Sequence, residues 1–452
     1  MSKKVKTGNE LQNKNFFKLT LPIFFEILLL MIMGNLDVIM LNAYSAVAVV
    51  SASIANQYIQ FSIVMFGFVS SGAGVIIAQY LGAGNNKAAK NVSGISIYLS
   101  LIFGIVISLI FFLFRENLLN IMDMSNYEFY YAEVFLSVVG GFIFLQALLS
   151  IINAILRSYG KTTQTLQITL FMNVLSAVGN AVFLFGLFGA PILGVLGVAI
   201  TTTISRLIAL LLALYLLFKH IGNPFLGIKN SKDYIKKILK IGIPAAGENL
   251  SYSAYQMFFT ALLTHMLPLD MVTRVYTRTL NVFMFVATIA ISQGSQIVIG
   301  RLMGEAKKNS SIYDTIYKKC FYYLKISLIS SILVSTLFFV FSNELLGIFT
   351  DDLEVLALGR DIFALFIILE IGRAFNLIFI GSLRATGDVQ FPVIIGIFHM
   401  WGVGAVLGFF LGYFSGMGLA GIIIATLVEE VLRGFIMLFR WRSKKWIKKG
   451  VV

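Results

Sequence analysis

KLTLPIFFEILL, residues 18–29, returns 222 residues later as KIGIPAAGENLS, residues 240–251, with Pro22 answered by Pro244 and Glu26 by Glu248. The echo continues along the chain. Gly82 and Gly304 keep the same offset, ENLLNIM (116–122) matches NELLGIF (343–349), and LRSYGK (156–161) matches LRATGD (383–388) at an offset of 227. Gly194 and Gly197 then match Gly418 and Gly421 at 224. Internal repetition on this scale decides the architecture before any single motif does.

Each copy is almost wholly apolar. Hydrophobic residues make up 58% of the 452 and charged ones only 12%, about half the charged share of a soluble domain. A hydrocarbon core about 30 Å thick needs roughly 20 apolar residues per helix. That ruler predicts twelve spans, near 19–41, 53–80, 92–114, 131–155, 163–187, 192–217, 241–265, 275–300, 321–341, 358–382, 391–413 and 418–440. Six spans per copy is an even number, so both copies start from the same side and form parallel repeats. The expected fold is an all-α polytopic membrane protein of two six-helix lobes around a central cavity. Residues 1–217 make the N-lobe, 218–240 a cytoplasmic linker, and 241–452 the C-lobe with a basic tail.

The net charge of +14 reflects orientation rather than nucleic acid. Alternate loops, counted from the N-terminus, hold 27 of the 35 Lys and Arg. The opposite loops hold few, chiefly Arg115 and Arg274, beside acids such as Glu116, Asp123, Glu128, Glu344, Asp351, Asp352 and Glu354. Both termini are therefore expected in the cytoplasm, facing anionic lipid. In the linker, Tyr234, Ile235, Ile238 and Leu239 share one face and Lys232, Lys236, Lys237 and Lys240 the other, the pattern of an interfacial helix. One cysteine, Cys320, excludes an internal disulfide. Without a Gly-Lys-Ser/Thr phosphate loop, a nucleophile constellation or clustered His, the sequence offers no enzyme, ATPase or His metal site.

Ionisable residues at membrane depth are costly and mark pathways or pairs. Glu26 and Asp37 lie eleven residues apart, three helical turns, on one face of span one. Ser176, Asn180, Thr201 and Thr202 on spans five and six offer oxygen ligands to Asp37. Arg206 is the first-half basic residue at depth available to pair with it, but is expected in the opposite half of the membrane. In the second half, Glu370 and Arg373 are three residues apart, as are Glu430 and Arg433, and each pair is expected to meet on its helix. Asn376, Glu429, Arg278 and Asn281 add further polar groups. Glu248, Arg278, Asn281, Glu370, Arg373, Glu430 and Arg433, with Glu26, are the candidates for substrate contact or gating. Gly404, Gly408, Gly412 and Gly416, every fourth residue, predict close helix packing.

With these residues in view the chain resembles the multidrug and toxic compound extrusion (MATE) family. The resemblance rests on Pro22, Glu26 and Asp37, on AQYLGAGN (78–85), LRSYGK, GVAITT (197–202), LRATGDVQFP (383–392) and EEVLRGFIMLFRWRSKKW (429–446), in that order. It implies alternating access and export of cationic amphiphilic compounds in exchange for H+ or Na+. It also implies a first-lobe site joining the span-one Asp to an Asn and an Asp on span five and a Thr on span six. Asp37 and Thr202 match, whereas the span-five pair is here Ser176 and Asn180, leaving one carboxylate for a possible Na+. Glu248 sits about a turn before the span-seven acid of some relatives. The expectation is thus a monomeric efflux antiporter of the bacterial inner membrane that needs no cofactor beyond its coupling ion. The rival reading is a lipid-linked saccharide flippase, which would line its cavity with cations.

Overall fold

The computed structural model describes residues 16–122, 124–225 and 231–452; the basic residues before 16, Asp123 and linker residues 226–230 lie outside them. Twelve long helices account for the described chain. They are α1 (Phe16–Tyr44), α2 (Ala46–Gly82), α3 (Asn86–Leu113), α4 (Asn126–Gly140 with Phe144–Ser158), α5 (Thr162–Phe185) and α6 (Val195–Ile221), then α7 (Ser231–Leu263), α8 (Pro268–Ala306), α9 (Ile312–Val340), α10 (Leu353–Thr386), α11 (Gln390–Phe414) and α12 (Gly418–Arg442). Nine of them are long and apolar enough to cross a membrane, and the bent α4 makes a tenth. The remaining two, α7 and α12, are the helices that carry Glu248 and the Glu429, Glu430 and Arg433 cluster. With them the twelve spans read from the sequence are all helices.

The chain forms two compact units. One comprises Leu21–Leu81 with Asn85–Gly242; the other comprises Ile243–Val452, Gly82–Gly84 and the segment ending at Thr20. In the first unit, Ala48, Ala52 and Ala55 of α2 share a core with Ile143 and Ala147 of the α4 region and with Val195, Val198 and Ala199 of α6. Small side chains there allow helices to approach closely, the main source of packing energy where lipid is as apolar as the core. In the second unit one cluster gathers Tyr255, Phe259, Met284, Phe363 and Phe366, and another gathers Cys320, Tyr323, Phe379, Trp441 and Trp446. Large apolar side chains such as Ile102, Leu113, Ile329 and Phe439 are exposed, as lipid-facing positions require.

The repeated LRxxG motif makes the same helix end in both units. Gly160 and Gly387 have φ of +74° and +95°, a region that glycine enters without a Cβ penalty. The amides of Lys161 and Asp388 donate to the carbonyls of Leu156 and Leu383, each at 2.9 Å. The glycine amides donate to Arg157 and Arg384 at 2.8 and 2.9 Å. This is the double hydrogen bond of a Schellman cap, with Leu156 and Leu383 fully buried.

Three expectations need correction. Span four is bent by 46° between its two segments, just after the Gly140–Gly141 pair, where missing side chains weaken the helix. The amphipathic linker stretch is the opening of α7 rather than a separate interfacial helix. Its apolar face packs on α2: Ile238 is fully buried, and a Cβ on Gly72 would lie 2.4 Å from the Ile238 carbonyl oxygen. Arg274 belongs to no loop; it lies on α8 and is buried.

Candidate coupling site

Three hydrogen bonds run up one face of α1 onto α5. Thr165 Oγ1 donates to Glu26 Oε2 at 2.7 Å, Asn173 Nδ2 to the Leu29 carbonyl at 3.3 Å, and Asn180 Nδ2 to Asp37 Oδ1 at 2.9 Å. The eleven-residue spacing of Glu26 and Asp37 therefore places both toward the same neighbour, about 16 Å apart along the axis. Glu26 is buried and Asp37 half-buried.

At the upper rung, Asn180 is fully buried and its Oδ1 has no hydrogen-bond donor; nor does Thr201 Oγ1. Thr201 presses on α5 beside Asn180, since a Cβ on Gly179 would lie 2.3 Å from Thr201 Cγ2 and 3.0 Å from its Oγ1. Buried acceptors without donors are rare and call for a reason. α5 and α6 thus each carry a buried oxygen without a donor, the one on α5 belonging to the residue that holds Asp37. Thr202, the residue that matches the family pattern, is half-buried, and among the described residues neither Thr202 nor Ser176 hydrogen-bonds Asp37. No ion pair within 4.0 Å joins Arg206 to Asp37 among the described residues, so its charge acts on the carboxylate only from farther away. No cluster of three His, Cys, Asp or Glu occurs there either, so one carboxylate with neutral oxygens suits a proton or monovalent cation better than a divalent metal.

The second unit spends its charges on one another. Arg373 bonds Glu370 directly and donates to Asn281 Oδ1 at 3.0 Å, while Asn281 Nδ2 donates to Glu370 at 2.9 Å. Arg433 bridges Glu429 and Glu430, both at 3.1 Å, and Asn376 donates to Glu430 Oε2 at 2.6 Å. Both three-residue pairs anticipated on α10 and α12 are present, joined by a 4.0 Å approach of Arg373 to Glu430. Glu248, the repeat counterpart of Glu26, pairs with Arg384 at 2.5 Å. Arg278 is exposed and stands apart from this network. Arg384 and Thr165 were not singled out as site residues. The repeated Leu-Arg motif is the signal that points to Arg384; none marked Thr165.

A cavity of about 310 Å³ lies against this network, lined among others by Glu248, Tyr252, Arg373, Arg384, Glu430 and Arg433. Comparison with known proteins gives the frame. The MatE family model matches residues 22–182 and again residues 244–410.

The chain belongs to the MatE family. As a member of that family of transporters it is not an enzyme. An uncharacterized transporter, YisQ of Bacillus subtilis (strain 168), is 42% identical over 441 residues, covering 97% of this chain and 96% of the relative. A probable multidrug resistance protein NorM of Thermotoga maritima is 27% identical, covering 97% and 94%. A solved outward-facing multidrug resistance MATE transporter of the MOP superfamily superposes with a TM-score of 0.86 at 19% identity, covering 96% of each chain. At that identity the likeness is one of fold. This MATE chain is thus a multi-pass membrane transporter of two six-helix repeats.

Proposed function

We propose that this MATE transporter is a secondary active efflux antiporter of the bacterial cytoplasmic membrane that exchanges H+ or Na+ at Asp37 for cationic amphiphilic compounds. The carrying observation is the Asp37–Asn180 pair at 2.9 Å, together with the buried oxygens of Asn180 and Thr201 that have no partner. A carboxylate with no ion-pair partner is expensive at membrane depth, so it holds a proton or cation when closed from water. A cationic substrate that neutralises the same charge competes with that ion, and competition for one carboxylate is what couples the two fluxes. Arg206 assists by tempering the charge from a distance without clamping it.

Asn180 orients Asp37, Thr201 completes the oxygen set, and Glu26, tied to Thr165, anchors the lower end of α1. The paired groups of the second unit hold its helices together beside the cavity of about 310 Å³. The basic loops support cytoplasmic termini and contact with anionic lipid, and the protein works as a monomer. Ethidium efflux from cells, followed while proton and sodium gradients are collapsed separately, tests the reading. It is wrong if efflux survives loss of both gradients.

A further inference from the structure

A second, smaller cavity in the unit built from Ile243–Val452 has cations in its lining and no acid to balance them. It measures about 190 Å³, and Arg274, Arg278 and Arg373 contribute to its lining together with Tyr252, Phe259 and Phe285, whereas no Asp or Glu does. Arg373 is already neutralised by Glu370. Arg274 and Arg278 are not: among the described residues neither has a carboxylate within 4.0 Å. Asp270, one turn before Arg274, accepts from the Leu419 amide at 2.8 Å and is absent from the lining. Arg274 is only 7% exposed, so it does not reach out to the headgroup layer. It is held instead by Gln256, through the main-chain carbonyl at 3.3 Å and Oε1 at 3.2 Å.

Two guanidinium groups four residues apart on one helix repel each other, and among the described residues neither has a counter-ion within 4.0 Å. We propose that this cavity binds the carboxylate of an aromatic acid, free or as the anionic end of a zwitterionic substrate. Guanidinium groups match a carboxylate with paired, charge-assisted hydrogen bonds. Gln256, Thr277 and Thr426 add neutral polar atoms, and Tyr252, Phe259 and Phe285 offer ring faces. The size fits: a cavity of about 150 Å³ accepts benzene, and this one has room for the added carboxylate. The inference concerns binding alone and stands apart from the coupling role given to Asp37.

The test uses the full chain in nanodiscs of zwitterionic lipid, with no ion gradient, titrated calorimetrically with benzoate, its neutral isostere benzamide and the cation benzylamine. Benzoate is expected to bind at least about tenfold more tightly than benzamide, with benzylamine weakest. Arg278→Gln, at an exposed position, is expected to bring benzoate down to the benzamide level, and Arg278→Lys to keep part of the preference. Equal affinity for benzoate and benzamide, a preference for benzylamine, or unchanged benzoate binding in Arg278→Gln would overturn the assignment.

Discussion

Asn180 reaches across from α5 to donate a 2.9 Å hydrogen bond to Asp37, and its own side-chain oxygen is left, fully buried, without a donor. An amide set this way positions the carboxylate while offering an acceptor beside it. Asp37→Asn keeps the shape and removes the charge. Ethidium efflux should fall to background with membrane expression unchanged, measured by fluorescence and by immunoblot of membranes. Normal pumping by that variant removes Asp37 from the mechanism.

Asn180→Asp makes the converse change, placing a second carboxylate within about 3 Å of the first. Like charges that close cannot both stay ionised without a cation between them. Efflux by this variant should become more dependent on external Na+ than the parent, read as the ratio of rates in sodium and choline buffers. An unchanged ratio would separate Asn180 from the ion.

Ten of the twelve spans were legible because length and apolarity suffice for them, and α7 and α12 were legible despite their charges because the repeat fixes six helices per half. The ladder from α1 to α5 was half legible. Helical arithmetic put Glu26 and Asp37 on one face, but nothing in the sequence says that Thr165, 139 residues from Glu26 along the chain, lies 2.7 Å from it in space. Thr201 and Thr202 are told apart for a related reason: a one-residue step turns a side chain by about 100° around the helix, and it is Thr201 that is buried and packs on Gly179.

Glu26 and Glu248 occupy matching repeat positions yet differ in their partners, a threonine hydroxyl and a guanidinium. Thr165→Val should lower stability by about 1–3 kcal/mol, the range for a buried group left without its donor. Arg384→Met strips Glu248 of its counter-ion and should cost more, near the lower end of about 3–5 kcal/mol because Arg384 keeps some exposure. Adding Glu248→Leu to Arg384→Met should recover much of that loss. Denaturation in detergent, with and without the second change, reads the coupling; additive losses would show that the pair is incidental.

The glycine ridge of α11 makes the last claim about packing. A Cβ on Gly404 would lie 2.2 Å from Tyr255 Oη, and one on Gly408 would lie 2.3 Å from Phe259 Cε1, with both aromatic side chains buried. The ring has nowhere to go, because Phe259 also meets Tyr255 edge-on at 4.6 Å. Gly408→Ala should therefore destabilise by about 1–3 kcal/mol through overpacking, although alanine is the better helix former. Gly402→Ala, where the nearest atom is 3.7 Å away on Phe398, keeps the propensity gain without the clash and should leave the melting temperature unchanged or raised. Thermal unfolding of the two variants side by side decides it: if both behave alike, α7 and α11 are not in the close contact that these two glycines permit.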